Sequence, residues 1–229
     1  MMKHEFEMTK PDCLIEDWPG KYRVFSWLEY VITAPNLIFL ITTRKANGLS
    51  NANLHSWGLL LGEGEKFLSL IAILKHHHTY ANILREKEWC INIPSFDHYP
   101  ESSETIYNNN DEVDELEKAG FTIEQSQRIQ APRIRECLIN LECKLAWQRE
   151  LFEGSSWVLF AGDVAHVAID ERAMASTPEE RIKDMQLMYN IRSTVNPLTG
   201  EQYGPNTLGL LKEVVKITSD DGSTKLWRK

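Results

Sequence analysis

The sequence predicts a mainly β protein, an antiparallel barrel or sandwich that carries a few peripheral helices. Three observations support this fold class. Strand-like segments outnumber helical ones, most segments that are neighbours in sequence can pair antiparallel, and residues 137–148 alternate apolar and polar side chains. No shift in composition marks a boundary, so a single domain is expected over residues 1–229.

Three strands are predicted in the first third of the chain, after an irregular lead-in at residues 1–25. Residues 37–43 form a run of apolar and β-branched side chains, which is typical of a strand buried on both faces. The next Asn47-Gly48 pair favours the positive φ angles of a type I′ hairpin turn. Residues 49–57 are therefore the predicted antiparallel partner, and residues 67–74 form another apolar run of strand length.

Two helices and one strand are predicted in the middle of the chain. The first helix is expected to begin at Thr79, because a threonine hydroxyl can cap the first free backbone N–H groups. A strand follows at residues 89–93 and ends at a proline. Residues 111–119 predict a short acidic helix that ends at Gly120.

The clearest strand signals lie in the second half. Only Leu138 and Ala146 interrupt the alternation of residues 137–148, which predicts a long strand with one buried face. Residues 157–169 predict a second long strand, and Gly162 within it indicates a bulge or bend.

The C-terminal region, residues 175–229, is expected to be a helix followed by a tail. Residues 177–180 have the capping-box pattern with proline at the first helical position. The predicted helix runs from there towards Tyr189. Residues 208–217 form a last apolar segment whose type the pattern leaves open.

Composition and charge exclude several classes of protein. A formal net charge of -8 disfavours binding to nucleic acid or anionic lipid, which depends on Lys and Arg. No stretch approaches the roughly 20 apolar residues of a bilayer span, and the polar N-terminus lacks the apolar core of a secretory signal. The four cysteines show no CxxC spacing. We therefore expect reduced thiols in a cytoplasmic protein, with no membrane or nucleic-acid partner.

Three adjacent histidines, residues 76–78, stand between a predicted strand and a predicted helix. Consecutive side chains point in different directions, and no second ligand cluster has a zinc spacing, so no metal site is expected. The N-terminus of a helix instead favours an anion such as phosphate. His77, His78 and Thr79 would add donors or positive charge there. A solvated loop with a capping threonine is the alternative interpretation.

Residues 51–57 carry many amide and hydroxyl groups beside a tryptophan, which predicts that one face meets a polar ligand. The alternative is an edge strand that faces water, with Trp57 in the core. No Ser-His-Asp order, paired carboxylates, GxGxxG or Walker sequence is present, so hydrolase and phosphoryl-transfer chemistry have no support. We assign no catalytic residue.

A set of motifs, taken in order and spacing, resembles the flavin reductase-like family of FMN-binding split barrels, among which the flavoredoxin type is most similar. The resemblance covers roughly residues 30–170. The segments that carry it are residues 40–43, 47–48, 51–52, 56–57, 78–83, 89–95, 131–132, 136–143 and 159–164.

The resemblance implies a homodimeric antiparallel split β-barrel that binds FMN non-covalently at the subunit interface. It also implies an oxidoreductase that moves electrons between NAD(P)H, or a small-molecule or protein redox partner, and the flavin. The site residues implied by the family pattern are His77, His78 and Thr79 for the phosphate, Asn51, Ala52, Ser56 and Trp57 for the ring and ribityl chain, and Thr42 and Thr43 beneath the ring.

The chain also departs from the flavoredoxin pattern. Glu115 replaces a lysine of that pattern, and residues 155–157 replace a Gly-His pair. The acidic segment of residues 108–115 favours a non-enzymic flavin-binding electron-transfer protein as the second interpretation, because a negative surface repels the phosphates of NADPH. A haem or pyridoxal phosphate site on the same barrel is a third alternative.

Overall fold

The computed structural model describes residues 2–107, 110–174 and 177–214. The strands are β1 (Asn36–Leu37), β2 (Phe39–Arg44), β3 (Ser50–His55), β4 (Gly58–Glu63), β5 (Lys66–Leu74), β6 (Glu88–Ile93), β7 (Ile123–Glu124), β8 (Arg133–Ile134), β9 (Ile139–Glu150), β10 (Trp157–Ile169), β11 (Met188–Val195) and β12 (Gln202–Leu210). The helices are α1 (Lys21–Val24), α2 (Leu28–Ile32), α3 (His78–Glu86), α4 (Tyr99–Glu104), α5 (Glu115–Ala119), α6 (Glu171–Met174) and α7 (Pro178–Met185).

A seven-stranded sheet with the order β3-β2-β6-β9-β10-β5-β4 forms the body of the molecule. Every neighbouring pair in it is antiparallel. A three-stranded sheet has the order β1-β11-β12, and β7 pairs with β8. The helices are short; α1 and α2 precede β1 in sequence, and the others lie between strands. The predicted fold class, mainly antiparallel β with a few helices, is confirmed.

The main core lies within the seven-stranded sheet. Its largest side chains are fully buried and come from the central strands β2, β6 and β10 and from β5; they include Ile41, Ile71, Ile73, Trp89, Ile91 and Phe160. The predicted bulge at Gly162 is confirmed by a register shift between Ala161 and Gly162. A Cβ on Gly162 would lie 2.4 Å from Cη2 of Trp89. The close approach of this buried indole therefore requires glycine there.

The hairpin between β2 and β3 is confirmed, but the predicted type I′ turn is wrong. The connection spans residues 45–49, and the backbone N–H of Lys45 donates to the carbonyl of Leu49 over 2.8 Å. Only Gly48 of the Asn-Gly pair has a positive φ, +87°, whereas a type I′ turn needs two such residues. The longer loop closes the hairpin without a positive φ at Asn47.

The long strand predicted over residues 137–148 is β9, but it is not buried on one face only. Asn140 and Glu142, on the face that the alternation predicts to be exposed, are also buried. The Asn140 amide donates to Asn92 Oδ1 over 2.9 Å. The Glu142 carboxylate accepts from the backbone N–H of Gln127 and Arg128. Asn92 of β6 and the loop that contains Gln127 and Arg128 thus supply the hydrogen-bond partners that the alternation alone assigned to water.

Two predicted helices form with different ends. The acidic helix is α5, which begins at Glu115, and its N-cap Asp114 accepts from two backbone N–H groups. The capping box at Thr177 is confirmed, yet α7 ends at Met185. Tyr189 lies in β11, so the predicted C-terminal helix and tail contain two further strands. Residues 215–217 of the last apolar segment lie outside the described residues.

None of the described helices combines the length and the apolar character that a membrane span requires.

Candidate functional site

A cleft of about 380 Å³ opens between the edge strand β3 and the first turn of α3. Its walls combine an aromatic pair, the amides of β3 and the start of a helix. The lining residues are Phe25, Asn51, Ala52, Asn53, Leu54, Trp57, His77, His78, Thr79, Thr105 and Ile106.

The helical wall of the cleft begins at His77, which is the N-cap residue of α3 and has no side-chain cap bond. The prediction that Thr79 caps the helix is wrong, because Thr79 is the second helical residue. Its hydroxyl accepts from Asn51 Nδ2 over 3.0 Å and from Asn53 Nδ2 over 3.3 Å. The first N–H groups of a helix have no carbonyl partner within it, so this end of α3 favours an anion.

The polar wall is one face of β3. Asn51 and Asn53 are two residues apart and therefore point to the same side of the strand. Besides their bonds to Thr79, Asn53 Nδ2 lies 3.5 Å from His77 Nδ1. Both amides thus stand between the strand and the helix start, where each can present a donor or an acceptor to a ligand.

The aromatic wall is built around Trp57. The rings of Trp57 and Phe25 are stacked, with centroids 5.4 Å apart and an interplanar angle of 12°. The Trp57 indole donates to Glu29 Oε2 over 3.0 Å. The guanidinium carbon of Arg192 lies 4.2 Å from the centroid of the Trp57 ring. These contacts hold the indole in one orientation at the edge of the cleft.

The structure brings six of the nine predicted site residues to the cleft and leaves three away from its lining. The six are Asn51, Ala52, Trp57, His77, His78 and Thr79. Thr42 and Thr43 are fully buried, and Ser56 is nearly so. Their hydroxyls are bonded within the protein: Thr42 donates to the carbonyl of Pro132, Thr43 accepts from Asn82, and Ser56 accepts from Asn190.

Five lining residues were not predicted as site residues: Phe25, Asn53, Leu54, Thr105 and Ile106. Residues two apart on a strand point to the same side. The prediction of Asn51 as a site residue could therefore have been extended to Asn53. Phe25 has no such signal, because it belongs to the lead-in and reaches Trp57 only through the tertiary fold.

Glu115, which departs from the flavoredoxin pattern, anchors β3 rather than facing the cleft. Its side chain is 1% exposed and lies 2.8 Å from Nζ of the equally buried Lys45. The other carboxylate oxygen accepts the backbone N–H of Ala52 over 2.7 Å. Burial raises the pKa of Glu115, against the opposing effect of the bonds from Lys45 and Ala52. The pair therefore fixes the outer edge of the strand that carries the site amides.

Two histidines near the cleft are neutral at pH 7. Burial, together with the neighbouring His76 and His78, lowers the pKa of His77 to about 4. Burial also lowers the pKa of His55 to about 3. His55 Nε2 has no hydrogen-bond partner among the described residues, and its ring packs against Trp57. His77 thus offers the cleft a neutral imidazole, contrary to the expected positive charge.

We expect the free energy of unfolding to fall as the pH drops below about 6.5, because the unfolded chain then binds a proton on His55 that the folded chain excludes. This contribution is complete above the ordinary His pKa and is lost at about 1.4 kcal/mol per pH unit towards pH 3. Urea denaturation at several pH values should show a flatter pH dependence for His55→Gln. The exposed His4→Gln should keep the wild-type slope, and equal slopes for all three proteins would contradict the prediction.

The histidine run forms no metal centre with its neighbours. Within residues 2–107, 110–174 and 177–214, no group of three or more His, Cys, Asp or Glu side chains is placed to hold a metal ion. His78 Nδ1 lies 3.7 Å from Asp111 Oδ1.

Comparison with known families gives one match that spans most of the chain. The model of the flavin reductase like domain matches residues 33–195. A protein of Aquifex aeolicus is 40% identical over 67 residues, which cover 29% of this chain and 34% of that protein. A protein of Archaeoglobus fulgidus is 22% identical over 160 residues, which cover 70% of this chain and 86% of that protein. This chain thus aligns with about a third of the Aquifex protein and with most of the Archaeoglobus protein.

Solved structures share the fold at low sequence identity. A Shewanella frigidimarina protein, provisionally described as a flavin reductase with a split barrel domain, has a TM-score of 0.72 at 17% identity and covers 94% of this chain and 100% of its own. Flavoredoxin of Desulfovibrio vulgaris has a TM-score of 0.64 at 16% identity, with 91% and 100% covered. An FMN-binding protein of Thermus thermophilus has a TM-score of 0.62 at 15% identity, with 95% and 100% covered.

Proposed function

The chain belongs to the flavin reductase-like family, and from this premise we propose that it binds FMN non-covalently in the cleft between β3 and α3. In this proposal it is an oxidoreductase that moves electrons between NAD(P)H, or a redox partner, and the flavin. The observation that carries the proposal is the meeting, in one cleft, of a helix N-terminus, two strand amides and an aromatic pair.

The cleft residues fit the three parts of FMN. A phosphate dianion suits the first N–H groups of α3 and the exposed part of the His78 ring. The ribityl hydroxyls and the pyrimidine edge need donors and acceptors, which the Asn51 and Asn53 amides can offer. An isoalloxazine also needs an apolar wall, and the Trp57–Phe25 pair offers one.

The chain's own groups bind and orient, and none is required as a nucleophile or general acid. A bound FMN would supply the redox chemistry, since the flavin ring accepts and donates electrons. The neutral His77 avoids a fixed charge beside the site, and Glu29 holds the Trp57 indole through its N–H. The buried Lys45–Glu115 pair ties the hairpin that leads into β3 to the start of α5.

We also propose that two copies form a homodimer with the flavin at their interface. The free edge strand β4 and its partner β5 support this proposal, because Leu59, Leu61 and Phe67 are 56%, 50% and 41% exposed. Exposed apolar side chains grouped on one sheet edge favour burial against a second chain.

The proposed function is tested by the absorption spectrum of freshly purified protein. We expect a yellow protein whose released chromophore has the mass of FMN and whose colour is bleached by NAD(P)H without oxygen. A colourless protein that does not quench FMN fluorescence would overturn the proposal. A haem or pyridoxal phosphate spectrum would support the third alternative instead.

A non-enzymic electron carrier is the second candidate. Asp111, with a side chain 76% exposed, lies beside His78, and these two residues and Glu112 line a neighbouring pocket. Their charge would repel the phosphates of NADPH. Steady-state turnover with NAD(P)H and free FMN separates the two candidates, because a pure carrier has no turnover.

A further inference from the structure

A second pocket, of about 460 Å³, lies on the other side of Phe25 from the cleft. Phe25 lines both spaces, and no predicted site residue lines the second one. Its volume lies in the range of small-molecule sites. Two buried cations, Lys21 and Arg192, line this pocket together with the ring of Tyr30.

Arg192 is held at the pocket by an unusual backbone. Its φ is +67°, and the pairing of β11 with β12 shifts register on both sides of it. Non-glycine residues seldom adopt this conformation, which is found at sites where the surrounding fold imposes it. The residue is 8% exposed, and its Nη2 donates to Glu29. Its Nε and Nη1 groups have no hydrogen-bond partner among the described residues.

Lys21 supplies the second cation and is 3% exposed. Its Nζ lies 2.6 Å from Asp17 Oδ2 and 4.3 Å from the centroid of the Tyr30 ring. An ammonium has three N–H donors. Within residues 2–107, 110–174 and 177–214, Lys21 Nζ donates only the hydrogen bond to Asp17. Each cation therefore has one carboxylate partner and keeps further donors for a ligand.

The other walls are polar and aromatic: Asp17, Ser193, Gln202 and Asn206 line the pocket together with Trp18, Phe25 and Pro205. Trp18 and Phe25 stand edge to face, with centroids 6.4 Å apart, and both line the pocket. Burial raises the pKa of Tyr30 to about 12, so its phenol stays neutral and can donate. Such a site matches a flat ring that ends in an anion, because hydrogen bonds from a charged donor to a carboxylate are stronger than those between neutral groups.

We propose that this pocket binds a small planar aromatic acid. Arg192 and Lys21 hold the carboxylate, and the ring lies along Phe25 and Trp18. The site is distinct from the flavin cleft but shares the Phe25 wall with it, so both ligands can be bound at once. The binding depends on the pocket's own charges and stands independently of the proposed flavin function.

Benzoate is the probe, and benzamide is its uncharged counterpart of the same shape. Calorimetric titration of the full chain, with and without added FMN, should show benzoate binding at least about tenfold tighter than benzamide and inorganic phosphate. Lys21→Met and Arg192→Lys should each weaken benzoate binding about tenfold. Arg23→Gln removes an exposed cation of the same helix and should leave the affinity unchanged.

Several results would overturn the proposal: no benzoate binding, equal binding of benzamide, tighter binding of phosphate, or unchanged affinity in both pocket variants. Displacement of FMN by benzoate would also overturn it, because the acid would then occupy the flavin cleft. Should Arg192→Lys fail to fold, Lys21→Met alone decides. Benzoate binding to a protein that takes up no FMN would support this site while the flavin proposal failed.

Discussion

Replacing His78 with glutamate is expected to weaken FMN binding about 100-fold, equivalent to about 3 kcal/mol. His78 is the first residue of α3 and lines the cleft with a side chain 31% exposed. A carboxylate there would stand beside the proposed phosphate, and like charges brought together at a binding site cost several kcal/mol. The variant should fold, because an acidic residue in the first turn stabilises a helix. Fluorescence quenching of titrated FMN measures the effect.

Two control variants distinguish a local effect from a general one. His76→Glu places the same charge on an exposed residue outside the cleft lining, and it should weaken binding only a fewfold. His78→Gln removes the imidazole without adding charge and should likewise have a small effect. Equal losses for the two glutamate variants, or none for His78→Glu, would refute phosphate binding at this turn.

Replacing Lys45 with methionine is expected to lower the free energy of unfolding by about 3–5 kcal/mol, because it leaves the Glu115 carboxylate buried without its cation. Lys45 Nζ also donates to the carbonyls of Asn110 and Val113, so the loop before α5 would lose two of its hydrogen bonds to the hairpin. Urea denaturation at pH 7 measures this loss.

The double variant Lys45→Met with Glu115→Gln should recover most of that stability. The amide removes the buried charge and keeps an acceptor for the N–H of Ala52. Lys75→Met is the matched control, since Lys75 and Glu150 form an ion pair with side chains 37% and 42% exposed. Surface pairs contribute less than about 1 kcal/mol. A large effect at Lys75, or a double variant no more stable than Lys45→Met, would contradict the assigned role of burial.

Local sequence signals predicted much of the fold. The strand at residues 157–169 has the predicted ends, and the capping box at Thr177 forms with both of its hydrogen bonds. The bulge at Gly162 was predicted from one residue type. These features depend on side-chain period, caps and glycine, which act over a few residues and can be read along the chain.

The site was only partly predictable, for a reason visible in β2 and β3. Thr42 and Asn51 are polar residues on adjacent strands, and no local sequence signal shows which of them can reach a ligand. The order of the strands in the sheet distinguishes them, because β2 lies between β3 and β6, whereas β3 is the edge strand. The Thr42 hydroxyl is therefore bonded to the protein, and the Asn51 amide faces a cleft.

The sequence by itself determined many of the strands and helices, the family resemblance and the two main segments from which the cleft is built. Tertiary structure alone decided which of those side chains face it, and it brought Phe25 and Arg192 to Trp57 from distant parts of the chain. The physical reason is the distance along the chain over which each kind of interaction acts. Helix ends and strand periods follow from neighbouring residues, whereas burial, pKa and ring contacts depend on which distant segments pack together.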